Sequence, residues 1–192
     1  MAIGTEILRF TQNDSTMLAI TLTRRDWREY DQLITFYTKE QGKIEAVARG
    51  VKKITAKNSA ALEPLSLLEV EIIPGKGARY AGAVEIAKNY AAVRAHLDRV
   101  LIAESALAVV NTLITGQEKD ERVFKLITDF LDFLNSTSPA KESLDHFVAE
   151  LVGYLGFSPP QAITSHANLL RHVRYYTGLP VADWHNYQAW LA

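Results

Sequence analysis

Between Gly42 and Lys57 the cations Lys43, Arg49, Lys52, Lys53 and Lys57 face a single acid, Glu45. Such a cluster can serve as a phosphate site, because each ammonium or guanidinium neutralises a backbone phosphate and releases a condensed counterion. Arg24, Arg25 and Lys39 lie upstream of it and Lys76 and Arg79 downstream, with Trp27, Tyr30, Phe36, Tyr37 and Tyr80 interleaved. Cations for phosphates and rings for base faces are the two components of a single-strand binding groove. Lysines in turns are also ordinary solvated side chains, and rings such as Phe36 or Tyr30 at alternating strand positions also serve as core. Taken together, the cluster favours binding.

The spacings that support catalysis are missing. His96, His146, His166, His172 and His185 form no His-Glu-x-x-His or other i, i+4 metal pair, and the chain has no cysteine to complete a site. No GxxxxGK[ST], GxGxxG or GxSxG motif occurs, so nucleotide hydrolysis, dinucleotide binding and serine-nucleophile chemistry lack their usual signatures. Pro74-Gly-Lys-Gly77 resembles half of a phosphate loop, but a strand-hairpin turn accounts for it better. Asp26, Glu29 and Asp31 have the side chains for acid–base or magnesium work. Arg24, Arg25 and Arg28 beside them make a salt-bridged strand connection the simpler reading. The expectation is a non-enzyme without metal or cofactor.

The elements that must position these residues change character along the chain. Up to about Ala87, β-branched and aromatic runs alternate with turn signals and predict strands. Thr16 to Thr23 sets Met17, Ala19, Thr21 and Thr23 on one face and Leu18, Ile20 and Leu22 on the other. Leu33 to Thr38 and Lys43 to Ala48 flank Lys39-Glu-Gln-Gly42, a hairpin turn whose glycine can take positive φ. Leu65 to Ile73 alternates Leu68, Val70 and Ile72 against Glu69 and Glu71, then turns through Pro74–Gly77 into Arg79 to Ile86. About five short strands fit an OB-type small barrel better than a sandwich.

Beyond about Asn89 the period becomes helical. Val93, Leu97, Val100, Leu101, Leu107 and Ala108 predict a helix ending near Gly116, and Val123, Leu126, Ile127, Phe130, Leu131 and Leu134 a second. Ser138, with Pro139 after it, predicts the cap of a third helix carrying Leu144, Phe147, Val148, Leu151 and Leu155 and ending at Gly156. Pro159-Pro160 predicts the start of a fourth, running to about Tyr176 and closed by Gly178. The fold class is therefore α+β: an N-terminal OB-type barrel over residues 1–87, then a helical bundle over 88–192. The boundary lacks linker composition, which predicts rigid packing of the two parts. Phe133, Tyr154, Phe157, Tyr175, Tyr176, Trp184 and Trp190 read mostly as core, with room for a groove between helices that takes an apolar peptide.

At 192 residues, 48% hydrophobic and 22% charged, the chain can bury a real core. The absence of cysteine excludes disulfides and fits a reducing cytoplasm. No export signal stands at the N-terminus and no apolar run approaches the roughly 18 residues of a membrane span. With a net charge of −1, whole-molecule attraction to nucleic acid fails and distribution decides. There are 13 basic against 11 acidic residues up to Lys88, and 8 against 11 beyond.

Arg24-Arg-Asp-Trp-Arg-Glu-Tyr-Asp31, Leu33 through Gly50, and Ala61-Leu-Glu-Pro-Leu-Ser-Leu-Leu-Glu-Val-Glu-Ile72 resemble, in order and spacing, the N-terminal domain of the RecO family of bacterial recombination mediators. Ala83-Val-Glu-Ile86 resembles the family's link to its helical domain, and Leu151-Val-Gly-Tyr-Leu-Gly-Phe-Ser-Pro159 its Leu-Gly-Tyr-x-Pro segment. The resemblance implies an OB-fold that binds single- and double-stranded DNA, and a helical domain that contacts the tail of the single-strand binding protein. It also implies strand annealing and, with RecR, loading of RecA onto coated single strands, in a bacterial cytoplasm and at the nucleoid. By position, Arg24, Arg25, Lys39, Lys43, Arg49, Lys52 and Lys53 are the implied DNA contacts, beside Lys57, Lys76 and Arg79 from the charge pattern. Many relatives carry a four-cysteine zinc module after the Leu-Gly-Tyr-x-Pro segment. This chain continues there without cysteine, so the expectation is a short form lacking that module. The alternative is a protein-interaction scaffold whose barrel does not bind DNA.

Overall fold

In the strand β1 (Thr16–Asp26) apolar residues occupy both faces, and the architecture follows from burying both. The computed structural model describes residues 15–53, 61–140, 142–158 and 165–186. β1 is followed by β2 (Gln32–Thr38), β3 (Gly42–Ala48), β4 (Ser66–Pro74) and β5 (Arg79–Asn89). They close in the order β1-β2-β3-β5-β4, with β3 and β5 parallel and the other neighbours antiparallel. This is the OB-type barrel that the strand pattern predicts. Met17, Ala19, Ile34, Phe36, Ile44, Ala46, Leu68, Val70 and Ile72 fill its interior. Register shifts between Thr21 and Thr23 on β1, and between Val70 and Ile72 on β4, bend long strands enough to close so small a barrel.

The helical half comprises α1 (Ala91–Arg94), α2 (Leu97–Leu113), α3 (Glu121–Ser136), α4 (Glu142–Tyr154) and α5 (His166–Thr177). The stripe predicted from Val93 onward is broken: Val93 belongs to α1, and extended His96 separates it from α2. Asn135 explains the break by accepting the Ala92 and Val93 N–H groups at 3.0 and 3.4 Å, which anchors α1 on α3. α2 is apolar almost all round because β1, α1, α3 and α4 all pack on it, while Leu97 at its start is exposed. α3 buries the predicted stripe apart from Leu126, which is partly exposed. Ser138 does not cap α4; its hydroxyl accepts from Arg99 at 3.3 Å and the helix begins at Glu142. Gly156, at φ +84, ends the α4 turn as predicted. Ser165 caps α5, and left-handed Gly178 closes it. Lys57, Pro159, Pro160 and Trp190 lie outside the described residues. No helix among the described residues is long and apolar enough to cross a membrane.

The outer faces of β1 and β2 supply Ile20, Leu22 and Tyr37 to the same core as α2, α3 and α4. Three polar contacts fix this seam. Lys43 on β3 donates to the Asn111 and Ile114 carbonyls at 2.5 and 2.7 Å, capping the α2 C-terminus where carbonyls lack helical partners. The Tyr37 hydroxyl donates to the Asp120 carbonyl at 3.4 Å, and Asp120 in turn accepts the Arg122 N–H at 2.8 Å to cap α3. Arg94 donates to the Pro64 and Leu65 carbonyls and to Ser66, holding Leu65 at φ +66, a costly conformation for a branched side chain.

Gly42 has φ +70, and a Cβ there would collide with the Glu118 backbone. Gly42→Ala is therefore expected to lower the unfolding free energy by about 2 kcal/mol or more, from left-handed strain plus displacement of the α2–α3 connection; denaturant midpoints measure it. The Arg122 guanidinium and N–H hold the Asp120 carboxyl below its ordinary value. A depressed carboxylate stabilises above its unfolded pKa and loses that contribution as pH falls through the folded value. Asp120→Ala is expected to cost about 1 kcal/mol at neutral pH, and urea melts should show the gap to wild type closing as the pH drops below about 4.

Candidate nucleic-acid interface

Strand register gathers most of the predicted cations at one end of the barrel. Asp26 pairs with Gln32, Gln32 with Ala48, Val47 with Tyr80, and Arg79 with Pro74. The β1–β2 loop, the turn after β3 and the β4–β5 hairpin therefore meet there, bringing together Arg25, Arg49, Lys52, Lys53, Lys76 and Arg79. The first two segments are fastened to each other. The Gly50 N–H donates to Asp31 at 2.9 Å, the Lys52 N–H to the Tyr30 carbonyl at 3.2 Å, and the Lys52 ammonium to Asp26 at 2.8 Å.

A 740 Å³ cleft opens beside this cluster, lined by Arg25, Trp27, Lys43, Glu45, Pro74, Gly75, Gly77–Arg79 and Thr115–Gln117. Trp27 and Tyr30 are 51% and 46% exposed, whereas Phe36 and Tyr37 are buried core. The Arg49 guanidinium lies 3.9 Å from the Tyr80 ring centroid, and the Lys53 ammonium 5.5 Å from that of Tyr30. Two cations of the cluster are thus held against aromatic rings.

The other predicted residues are placed differently. Arg24, nearly buried, is bound by Gln32 and ion-paired with Glu63. Lys43 is committed to the α2 C-terminus, and burial pushes its ammonium below the usual lysine value. Lys39 is exposed at the opposite rim, in the β2–β3 turn. Within the cluster, Arg25 pairs with Glu45 at 3.2 Å, Lys52 with Asp26, and Arg79 with Gln117 at 3.2 Å. Lys52 and Gln32 draw the Asp26 carboxyl below its ordinary value. Sequence reasoning missed the Thr115–Gln117 wall, because no local pattern shows which loop a distant helix pair will lay against the barrel.

The helical half holds a second depression, of 500 Å³, between α3 and α4. Phe130 and Phe147, with ring centroids 4.6 Å apart, form its floor beside Leu126 and half-exposed Phe133. Arg122, stacked 5.1 Å from the Tyr154 ring centroid, and Lys125 stand on its rim with Asp129 and Glu150. The fold also brings together Asp145, His166 and His185, a metal-type donor set that sequence spacing does not reveal.

Two family models divide the chain at the junction of strands and helices: Recombination protein O N terminal matches residues 13–90, and Recombination protein O C terminal matches 94–163. The chain belongs to the RecO family. The Geobacter metallireducens protein named DNA repair protein RecO is 28% identical over 139 residues, 72% of this chain and 57% of that relative. Its namesake from Geobacter sulfurreducens is 29% identical over the same length. That of Myxococcus xanthus is 31% identical over 143 residues, 73% of this chain and 58% of the relative. The chain thus spans a little over half the length of these RecO relatives. The N-terminal RecO match contains every predicted cation, and the C-terminal one contains the α3–α4 depression but not α5.

Lys43→Met is expected to lower the unfolding free energy by about 1–3 kcal/mol, since two carbonyls lose a charged donor. Lys39→Ala at the exposed rim is expected to stay within about 0.5 kcal/mol of wild type. Parallel denaturant melts separate the two roles.

Proposed function

We propose that this chain is a non-catalytic DNA-binding mediator of recombination and repair, binding DNA at the end of its barrel and a protein partner on its helical half. The observation that carries this reading is the convergence of Arg25, Arg49, Lys52, Lys53, Lys76 and Arg79 around exposed Trp27 and Tyr30. These cations outnumber the local acids Asp26, Glu29, Asp31 and Glu45. Contact with single strands combines phosphate neutralisation along the turn after β3 with base stacking on the two exposed rings. Arg24 and Lys43 support the fold rather than the DNA. The implied functions of the family, annealing complementary strands and, with RecR, helping RecA onto strands coated by single-strand binding protein, extend this proposal.

For the partner we propose the α3–α4 depression. Its aromatic floor suits an apolar side chain, and Arg122 and Lys125 on the rim, now ion-paired with Asp120 and Asp129, can turn to an acidic peptide, which is the role we give to the tail of the single-strand binding protein. The second reading, a scaffold whose barrel leaves DNA alone, is favoured by the ion pairs that already occupy Arg25 and Lys52.

Fluorescence anisotropy of a labelled single-stranded oligonucleotide distinguishes the readings. Micromolar or tighter binding at about 50 mM salt, collapsing at about 300 mM with a log–log slope near −0.7 per contacted phosphate, is expected for the mediator. Lys52→Glu with Lys53→Glu is expected to weaken it at least 10-fold, by the loss of about two phosphate contacts and added repulsion. Absence of binding at low salt would overturn the DNA-contact assignment and leave the scaffold reading in front. A labelled acidic, apolar-ended peptide is expected to bind wild type and to be lost on Arg122→Glu with Lys125→Glu, with the oligonucleotide affinity unchanged.

A further inference from the structure

We propose that Asp145, His166 and His185 hold one divalent transition-metal ion, with Asp183 on the far ring nitrogen of His166 as the outer carboxylate that orients that ligand. Three separate parts of the chain meet here: α4 brings Asp145, the first residue of α5 is His166, and Asp183 and His185 lie in the segment after Pro180. One donor atom from each of Asp145, His166 and His185 lies within 4.8 Å of the others. His166 sets Nδ1 at 2.8 Å from Asp145 Oδ1 and Nε2 at 2.9 Å from Asp183 Oδ1, and His185 Nε2 is 3.2 Å from the same Asp145 oxygen. Each carboxylate oxygen facing His166 also accepts a second hydrogen bond that holds it in place. Fully buried Trp184 donates Nε1–H to Asp145 at 2.7 Å, and the His185 N–H donates to Asp183 at 2.9 Å. Such outer partners commonly fix the ligands of metal sites.

Charge supplies the second argument: among the described residues no lysine or arginine pairs with Asp145 or Asp183, which leaves their charge for a dication to balance. The His166 and His185 rings stack at 3.7 Å with 10° between their planes. Nitrogen and oxygen donors of this kind suit Zn²⁺, Co²⁺ or Ni²⁺. Parallel rings cannot both aim in-plane lone pairs at one ion, so binding turns His185 out of the stack. The ion then fastens the segment carrying Trp184 to α4 and α5. Its donors differ in kind from the four thiolates of the family's zinc module.

The test is titration of the metal-stripped full chain with ZnCl₂ by calorimetry and with CoCl₂ by visible absorption, at pH 7.5. We expect one ion per chain, Co²⁺ d–d bands of low coordination number, and a higher melting temperature with Zn²⁺. His185→Gln is expected to weaken Zn²⁺ binding by more than about 100-fold and Asp183→Asn by about 10-fold, as for ligands and their neighbours. His96→Gln, at an exposed position outside the cluster, should bind as wild type does. Failure of wild type to bind stoichiometrically at tens of micromolar free Zn²⁺, on the order of ordinary weak surface association, overturns the proposal. So does wild-type affinity in a folded Asp145→Asn, His185→Gln double variant, because the ion would then sit elsewhere.

Discussion

The barrel wall has to be covered on both sides. Met17 and Ala19 point into the barrel while Ile20 and Leu22 on the same strand point out of it, and Tyr37 repeats the demand on β2. Burying each of those outward side chains stabilises by roughly 1.5–3 kcal/mol, so α2 and α3 are not an appendage but the other half of the wall's environment. This packing also decides which barrel surface remains open. With the flank of β1 and β2 taken by helices, the end where Asp26, Gln32, Ala48 and Arg79 converge stays exposed, and the α2–α3 connection forms one side of its cleft.

Most cations at that end are already engaged, and the nature of each engagement matters. Arg49 over Tyr80 and Lys53 near Tyr30 are held by ring faces, which restrain the side chain without neutralising it. Lys52 on Asp26 and Arg25 on Glu45 are exposed ion pairs of small worth that a phosphate can displace. Lys43 differs in kind. Its two carbonyl bonds are part of the seam between the halves, and removing it from that seam to meet a ligand would leave the α2 C-terminus uncapped.

Local patterns made the barrel legible. Alternation in β4 and the glycines at 42 and 77 predicted the two hairpins, and the i, i+3, i+4 stripe of α3 predicted its buried face, because those signals are written within one element. The fate of Lys43 was not legible, since a lysine in a basic run looks the same whether it meets a phosphate or a helix end. Ser138 failed as a cap for a similar reason: Arg99, 39 positions away, claims its hydroxyl. The donor cluster at Asp145, His166 and His185 draws on three elements, and no spacing rule spans them. Among the aromatics, Trp27 and Tyr30 sit in a loop and stay exposed, while Phe36 and Tyr37 lie on a strand covered on both faces.

The outward face of β1 also imposes an order in time. All five strands leave the ribosome before the helices that cover Ile20, Leu22 and Tyr37. From Asn89 to the end of α3 at Ser136, synthesis at roughly 5–20 residues per second takes on the order of 2–9 s. During that interval a finished barrel still shows an oily flank to its surroundings. The nascent chain is therefore most vulnerable to self-association after its barrel can close and before its helices arrive, which makes this the window in which a chaperone has something to hold.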